Sequence, residues 1–267
     1  MFHLLNQMDS MTKVQSLMPY TLDRYSIIIG LFSVMVACQS TSPYDHSKLK
    51  DEQLEDICVA PHGMGSPSSI EEFIELTNAL SKTTIDVKCV IESLDRPLKL
   101  VATQGTLSAQ PAGGKRDPRV FIIQDELIIS VVPNGPGRTL IELGEYIIPT
   151  ESLKGELHMP IERPITLDHV FGHLRYNESL TVCGFCHYNE RPSTTINHRN
   201  AHISMAFKPL DTEIILLEAL ETEHELCTQK EQLTYRCEIY KALFDHGQVN
   251  QSTFPAELKT IYEASLD

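Results

Sequence analysis

The stretch from about residue 85 to 165 limits the fold most. It breaks into short segments rich in Val, Ile and Leu: "DVKCVIESL", "LKLVATQ", "RVFIIQ", "LIISVVP", "TLIELGEYI" and "LKGELHMPI". Turn-forming "DRP", "QPAGGKRDP", "DE" and "PNGPGR" separate them. Short β-branched runs divided by Gly, Pro and Asp read as antiparallel strands, with "RVFIIQ-DE-LIISVV" as a hairpin. Its apolar runs are continuous, which predicts burial on both faces. Helical patterns flank this block. "SSIEEFIELTNALSK" places Ser68 and Glu71 at capping-box spacing ahead of a stripe of Ile70, Phe73, Ile74, Leu76 and Leu80. "KLKDEQLEDIC" reads as a short helix and "APHGMGSPSS" as a loop. After "AHISMAFKPL", read as one more strand, come "DTEIILLEALETEHELC", with Leu216, Leu217, Leu220 and His224 on one face, and "EQLTYRCEIYKALFDHG", closed by a Gly. "PAELKTIYEAS" reads as a last helix with Pro255 in its first turn. The expected class is α+β: short N-terminal helices, a central mostly antiparallel sheet and a C-terminal helical hairpin, forming one domain over residues 48–267.

Charge narrows the partners. The chain carries a formal net charge of −14, and no Lys/Arg block stands out against it. Such a surface repels nucleic acid and anionic headgroups, so no nucleic-acid partner is expected. "PAGGKR" at 111–116 lacks the upstream Gly of a phosphate-binding loop and has Arg116 where that loop needs Ser or Thr.

The N-terminus reads as a targeting segment. "YSIIIGLFSVMVA" at 25–37 is an apolar run behind Lys13 and Arg24. It is shorter than the roughly 20 residues of a membrane span and has the length of a signal-peptide core. The "MVAC" that ends it, with Val36, Ala37 and Cys38, resembles the lipobox of bacterial lipoproteins. The resemblance implies a signal peptide over 1–37, cleavage before Cys38 and lipidation of its thiol. Gln39 in the next position implies the outer membrane, facing the periplasm. Residues 38–47 read as a flexible tether, so the membrane is a partner through the lipid. "SLDRPLKLVATQGTLSAQPAGGKRDPRVF" also resembles a stretch of proteobacterial lipoproteins, a likeness that brings no activity with it.

Of seven cysteines, six remain after Cys38. An even number in an oxidising envelope points to pairs. Proximity gives Cys58 with Cys89 and Cys227 with Cys237, one choice among the fifteen pairings that six cysteines allow.

The remaining two, Cys183 and Cys186, spell C-x-x-C-H with His187. Four arrangements fit. The motif resembles the haem attachment site of c-type cytochromes, in which two thiols tether haem c and the histidine ligates iron. That implies a monohaem electron carrier or sensor, served by a redox partner protein, with a sixth ligand sought among Met159, His198, His202 and Met205. Alternatively Cys183, Cys186, His198 and His202 form C-x2-C-x11-H-x3-H, a zinc ligand set with His187 as a fifth candidate. "CGFCH" also resembles the redox dithiol of thioredoxin-class periplasmic isomerases, with Cys183 as nucleophile. That fold needs a helix after the motif, where Pro192 stands. Last, the pair forms a static disulfide in a structural or interaction lipoprotein. No catalytic residue is assigned. Asp168, His169 and His173 cluster just upstream, and helical spacing would put both histidines on one face.

Overall fold

The computed structural model describes residues 57–229 and 234–264. The signal peptide, Cys38, the tether and residues 48–56 of the short helix expected in "KLKDEQLEDIC" lie outside the described residues.

The fold is α+β. In chain order come α1 (Ile70–Ala79), β1 (Thr84–Ile85), α2 (Val87–Ser93), β2 (Leu98–Thr103), β3 (Arg119–Gln124), β4 (Leu127–Val131), β5 (Leu140–Ile148), β6 (Glu151–His158) and β7 (Ile161–Glu162). Then follow α3 (Leu167–Phe171), β8 (Arg191–Pro192), β9 (His202–Met205), β10 (Ile214–Ile215), α4 (Leu217–Thr228), α5 (Tyr235–Phe244), β11 (Val249–Gln251) and α6 (Ile261–Ala264). The main sheet runs β10-β2-β3-β4-β5-β6-β9-β8, and β11 joins the outer edge of β2 in parallel. Its centre, β2 to β6, is an antiparallel meander.

Strand period two sorts the meander's side chains onto two faces. Leu98, Leu100, Val120, Ile122, Leu127, Ile129, Ile141, Leu143, Leu153 and Leu157 are all buried and share one core with the helices. There α1 lies on β5, α3 on β6 and α4 on β2, while α5 packs between α2 and α4. Gly155 allows the close approach of α3: a Cβ there would meet Val170 Cγ1 at 2.5 Å and Ile70 Cδ1 at 3.4 Å. Two disulfides tie this layer. Cys58–Cys89 fixes the entering chain to α2, and Cys227–Cys237 joins α4 to α5. Native bridges of this kind contribute about 2–4 kcal/mol each.

Several expectations are corrected. "DVKCVIESL" forms a helix: Asp86 caps it, accepting from the Cys89 amide at 2.7 Å. Val87, Cys89, Val90, Ile91, Glu92 and Ser93 are all buried. A short apolar run buried all round carries no period that separates helix from strand. The N-cap of α1 is Ser69, one residue later than expected, and Glu72 accepts from the Ser68 amide at 2.7 Å. Leu216 is 63% exposed ahead of α4, while Leu220 is buried. "PAELKTIYEAS" is helical only over α6. The Leu258 amide donates to Pro255 in a turn and the Lys208 amide to Lys259, which bridges to Phe207, so the chain before α6 turns and pairs instead of winding as a helix. The β3–β4 hairpin is buried on its helical side. Its other side is partly open, with Ile128 half-buried over a cavity.

Gly155→Ala is expected to overpack the β6–α3 contact by about 1–3 kcal/mol. Thermal unfolding followed by circular dichroism should show a lower Tm, with Val170→Ala in the same chain recovering part of the loss. An unchanged Tm would contradict the packing described.

Candidate functional site

The face of the meander away from the helices floors a cavity of about 280 Å³. The residues that alternate with the core positions reach it: Thr103, Arg119, Phe121, Ile128, Ser130, Glu142, Gly144, Tyr146, Ser152, Lys154 and Glu156. Register places Phe121 opposite Ser130, Ser130 opposite Glu142, Glu142 opposite Glu156, and Gly144 opposite Lys154. Segments near 105–109, 182–187, 206–213 and 254–262 supply the remaining walls, including Val182, Cys183, Cys186, His187, Phe207 and Phe254. A concave, largely apolar pocket with a few converging polar groups is the usual form of a ligand site.

The C-x-x-C-H segment reaches this wall because Thr181 starts a 3₁₀ turn, Val182–Phe185. The buried Thr181 hydroxyl accepts from the Cys183 amide at 3.2 Å and donates to the Glu190 carboxylate. Glu190 also accepts from the Thr181 amide at 2.8 Å. Gly184 lies against that carboxylate, where a Cβ would meet Oε2 at 2.7 Å. The turn closes as the Cys186 and His187 amides donate to the Cys183 carbonyl at 3.1 and 2.9 Å.

His187 is fixed at two points. Its Nδ1 lies 2.8 Å from the Met205 carbonyl oxygen, and its ring stacks on Phe207 at 5.4 Å between centroids and 14° between planes. A carbonyl only accepts, so Nδ1 carries the proton and Nε2 keeps its lone pair. Burial, reinforced by the Lys154 charge, pushes the imidazole pKa down to about 3, and the ring is neutral at ordinary pH. Lys154 contacts Ser152 Oγ at 2.7 Å, Ser204 Oγ at 3.3 Å and the Met205 carbonyl at 3.3 Å. Burial lowers its ammonium pKa to about 8. Arg119 pairs with Glu142 and donates to Ser130 Oγ at 2.6 Å, while Glu142 Oε1 is buried without a partner.

Not every expected ligand is brought together. Cys183 and Cys186 carry free thiols, so the static bridge expected between them is not formed in this structure. Burial drives the Cys183 thiol up to about 11, against the pull of the Thr181 hydrogen bond and the Lys154 charge. A dithiol nucleophile needs the opposite shift, at the start of a helix that is not formed here. The zinc set does not converge. His198 contacts Asp168 at 3.3 Å and packs beside Phe171, and His202 is buried in β9 opposite Pro192. Among the described residues, the only trio of His, Cys, Asp or Glu with ligand atoms within 4.8 Å of one another is Glu156, His158 and His173. Met159 is buried in the core cluster, and Met205 offers its carbonyl to His187. The upstream histidines also part: His169 Nδ1 accepts from the Thr166 amide at 3.0 Å, while His173 turns to Glu156.

Sequence reasoning missed Arg119, Glu142, Gly144 and Lys154. For Glu142, Gly144 and Lys154 the signal was the alternation in "IELG" and "SLKGEL", where small or polar residues stand between the apolar ones; Arg119 heads the continuous apolar run "VFII" and had no such signal. No protein-family model matches the chain, and neither the curated proteins nor the solved structures offer a match.

In protein made without haem, with Cys38 replaced by Ser and the four remaining cysteines bonded, iodoacetamide is expected to react in two phases. The exposed Cys186 reacts first and Cys186→Ser removes that phase. The Cys183 phase should keep accelerating about tenfold per pH unit from 8 to 10, since its thiolate fraction is still far from full. A plateau near pH 9 would contradict the shift.

Proposed function

We propose that this protein is an envelope lipoprotein, anchored through Cys38 to the outer membrane on its periplasmic side, that carries one haem c and serves as an electron carrier or sensor. One observation carries the reading. His187 lines the cavity, donates its Nδ1–H to the Met205 carbonyl and so keeps Nε2 unprotonated. Histidines that bind metal hold their other ring nitrogen in this way, which sets the tautomer and the ring plane. Cys183 and Cys186 line the same cavity as free thiols. Each would add S–H across a haem vinyl group, forming a thioether with no net change in electrons.

Haem supplies one-electron chemistry at iron, with a potential set by ligation and solvent access. The chain's part is placement. Phe207 restrains the His187 ring, and Phe121, Ile128 and Phe254 keep the wall dry. Val182, Leu107 and Tyr262 line the cavity yet stand 44%, 61% and 53% exposed, apolar surface that a bound macrocycle would cover. The net charge of −14 favours a basic redox partner.

A non-catalytic interaction lipoprotein is the second reading. It is favoured by the cavity's volume, about 280 Å³, just below the range of ligand pockets (about 300–1,000 Å³). Tyr176 and Phe185, paired edge to face at 4.6 Å and 57% and 63% exposed, give it a contact surface.

Expression with the signal peptide in a host that matures c-type cytochromes separates the two. The haem reading expects a Soret band and a peroxidase-positive band that survives a denaturing gel, lost in Cys183→Ser/Cys186→Ser. A Cβ on Gly144 would meet nothing within 4 Å. Gly144→Leu should therefore fill the cavity and cut haem content several-fold while the Tm stays within a few degrees. A well-folded wild-type protein with no covalent haem would overturn the reading.

A further inference from the structure

We infer that Glu156, His158 and His173 form a three-ligand site for a divalent transition-metal ion of the zinc type. Both imidazole Nε2 atoms converge on a single oxygen, Glu156 Oε1: His158 at 3.1 Å and His173 at 3.0 Å. The two rings stand edge to face with centroids 4.9 Å apart. All three ligand atoms lie within 4.8 Å of one another. Ligands bound at about 2.0–2.1 Å in a tetrahedral site are separated by about 3.3 Å. The two N···O separations are within a few tenths of an ångström of that edge, so an ion enters by small rotations of the side chains.

The fold builds this convergence from separate parts of the chain. Glu156 and His158 are two apart on β6 and share its face. Beyond Leu153, β6 has no pairing with β9, and α3 lies beside it instead. Gly155 lets Val170 of α3 approach the strand, and the 3₁₀ turn Gly172–Leu174 then carries His173 over the strand to Glu156. Electrostatics favours a cation here. Glu156 stands directly opposite Glu142, a like-charge cross-strand pair that destabilises unless each carboxylate is partnered. Arg119 takes Glu142. Glu156 is left with two imidazoles, which are neutral when they act as ligands. Lys154, two residues before Glu156 on the same face of β6, is held by Ser152, Ser204 and the Met205 carbonyl.

The donor set names the metal class. Two imidazoles and one carboxylate suit Zn²⁺, Ni²⁺, Co²⁺ or Cu²⁺ and disfavour Mg²⁺ and Ca²⁺, which take oxygen. Three protein ligands leave at least one position for water or a small anion. The site shares no ligand with the C-x-x-C-H segment and stands or falls apart from the haem reading.

The test is calorimetric titration of the metal-stripped, lipid-anchored chain in detergent with ZnCl2. Cys183→Ser/Cys186→Ser is the background, so that neither thiols nor haem contribute. One equivalent of Zn²⁺ is expected to bind at micromolar concentration, with MgCl2 giving no heat. Since His158 is 65% exposed, His158→Ala leaves the fold intact, and it and His173→Gln should each weaken binding at least tenfold, with His169→Ala within twofold of the background. Absence of binding at millimolar Zn²⁺, or affinity unchanged in both His158→Ala and His173→Gln, overturns the site.

Discussion

The register of the β2–β6 meander is the constraint on which the rest of the molecule depends. One alternation sends Leu and Ile to the helices and Arg119, Glu142, Lys154 and Glu156 to the opposite side. A slip of one residue in β6 would drive Lys154 and Glu156 into the apolar layer and turn Leu153 and Leu157 outward. The helical layer holds the register from one side through Gly155, α1 and α3, and the two disulfides tie that layer to itself. The other side was thus left free to carry polar groups and a cavity.

Within that cavity, burial moves three groups on the motif wall toward their neutral forms. Lys154 falls to about 8, His187 to about 3, and Cys183 rises to about 11. Desolvation is the first cause in all three, as expected where charge loses water without a full replacement. A neutral imidazole with one committed nitrogen is a ligand rather than a proton shuttle at neutral pH. A protonated thiol is stable until a reagent reaches it. The His187 and Cys183 shifts fit a site that holds a group in place and give little support to thiol-exchange catalysis.

The sequence carried the sheet plainly, because turn residues punctuate it and its strands are adjacent in the chain. It carried α4 and α5 as elements but started α4 too early: Asp211–Glu213 is a 3₁₀ turn and Ile214–Ile215 pair with β2 as β10. It did not carry α2: the buried "VKCVIES" has no face to alternate, and only the Asp86 cap marks its start. Nor did it carry the turn and bridge before α6, which follow a long-range bond to the 208 loop rather than a local helical pattern. At the site, "CGFCH" was visible and its partners were not. Met205, Phe207 and Lys154 reach it through pairing of β6 with β9, a contact some fifty residues apart that no local spacing encodes. Spacing favoured His198 and His202 instead, but His198 lies in the loop before β9 against Asp168 and His202 is buried in β9.

The claim that His187 presents a bare Nε2 to the cavity can be measured directly. A long-range ¹H–¹⁵N correlation spectrum of the haem-free, ¹⁵N-labelled protein at pH 7 reports the protonation of each ring nitrogen. The account predicts the His187 ring as the neutral Nδ1–H tautomer, with Nε2 at the shift of an unprotonated nitrogen. A neutral Nε2–H tautomer, or an imidazolium at that pH, would contradict it.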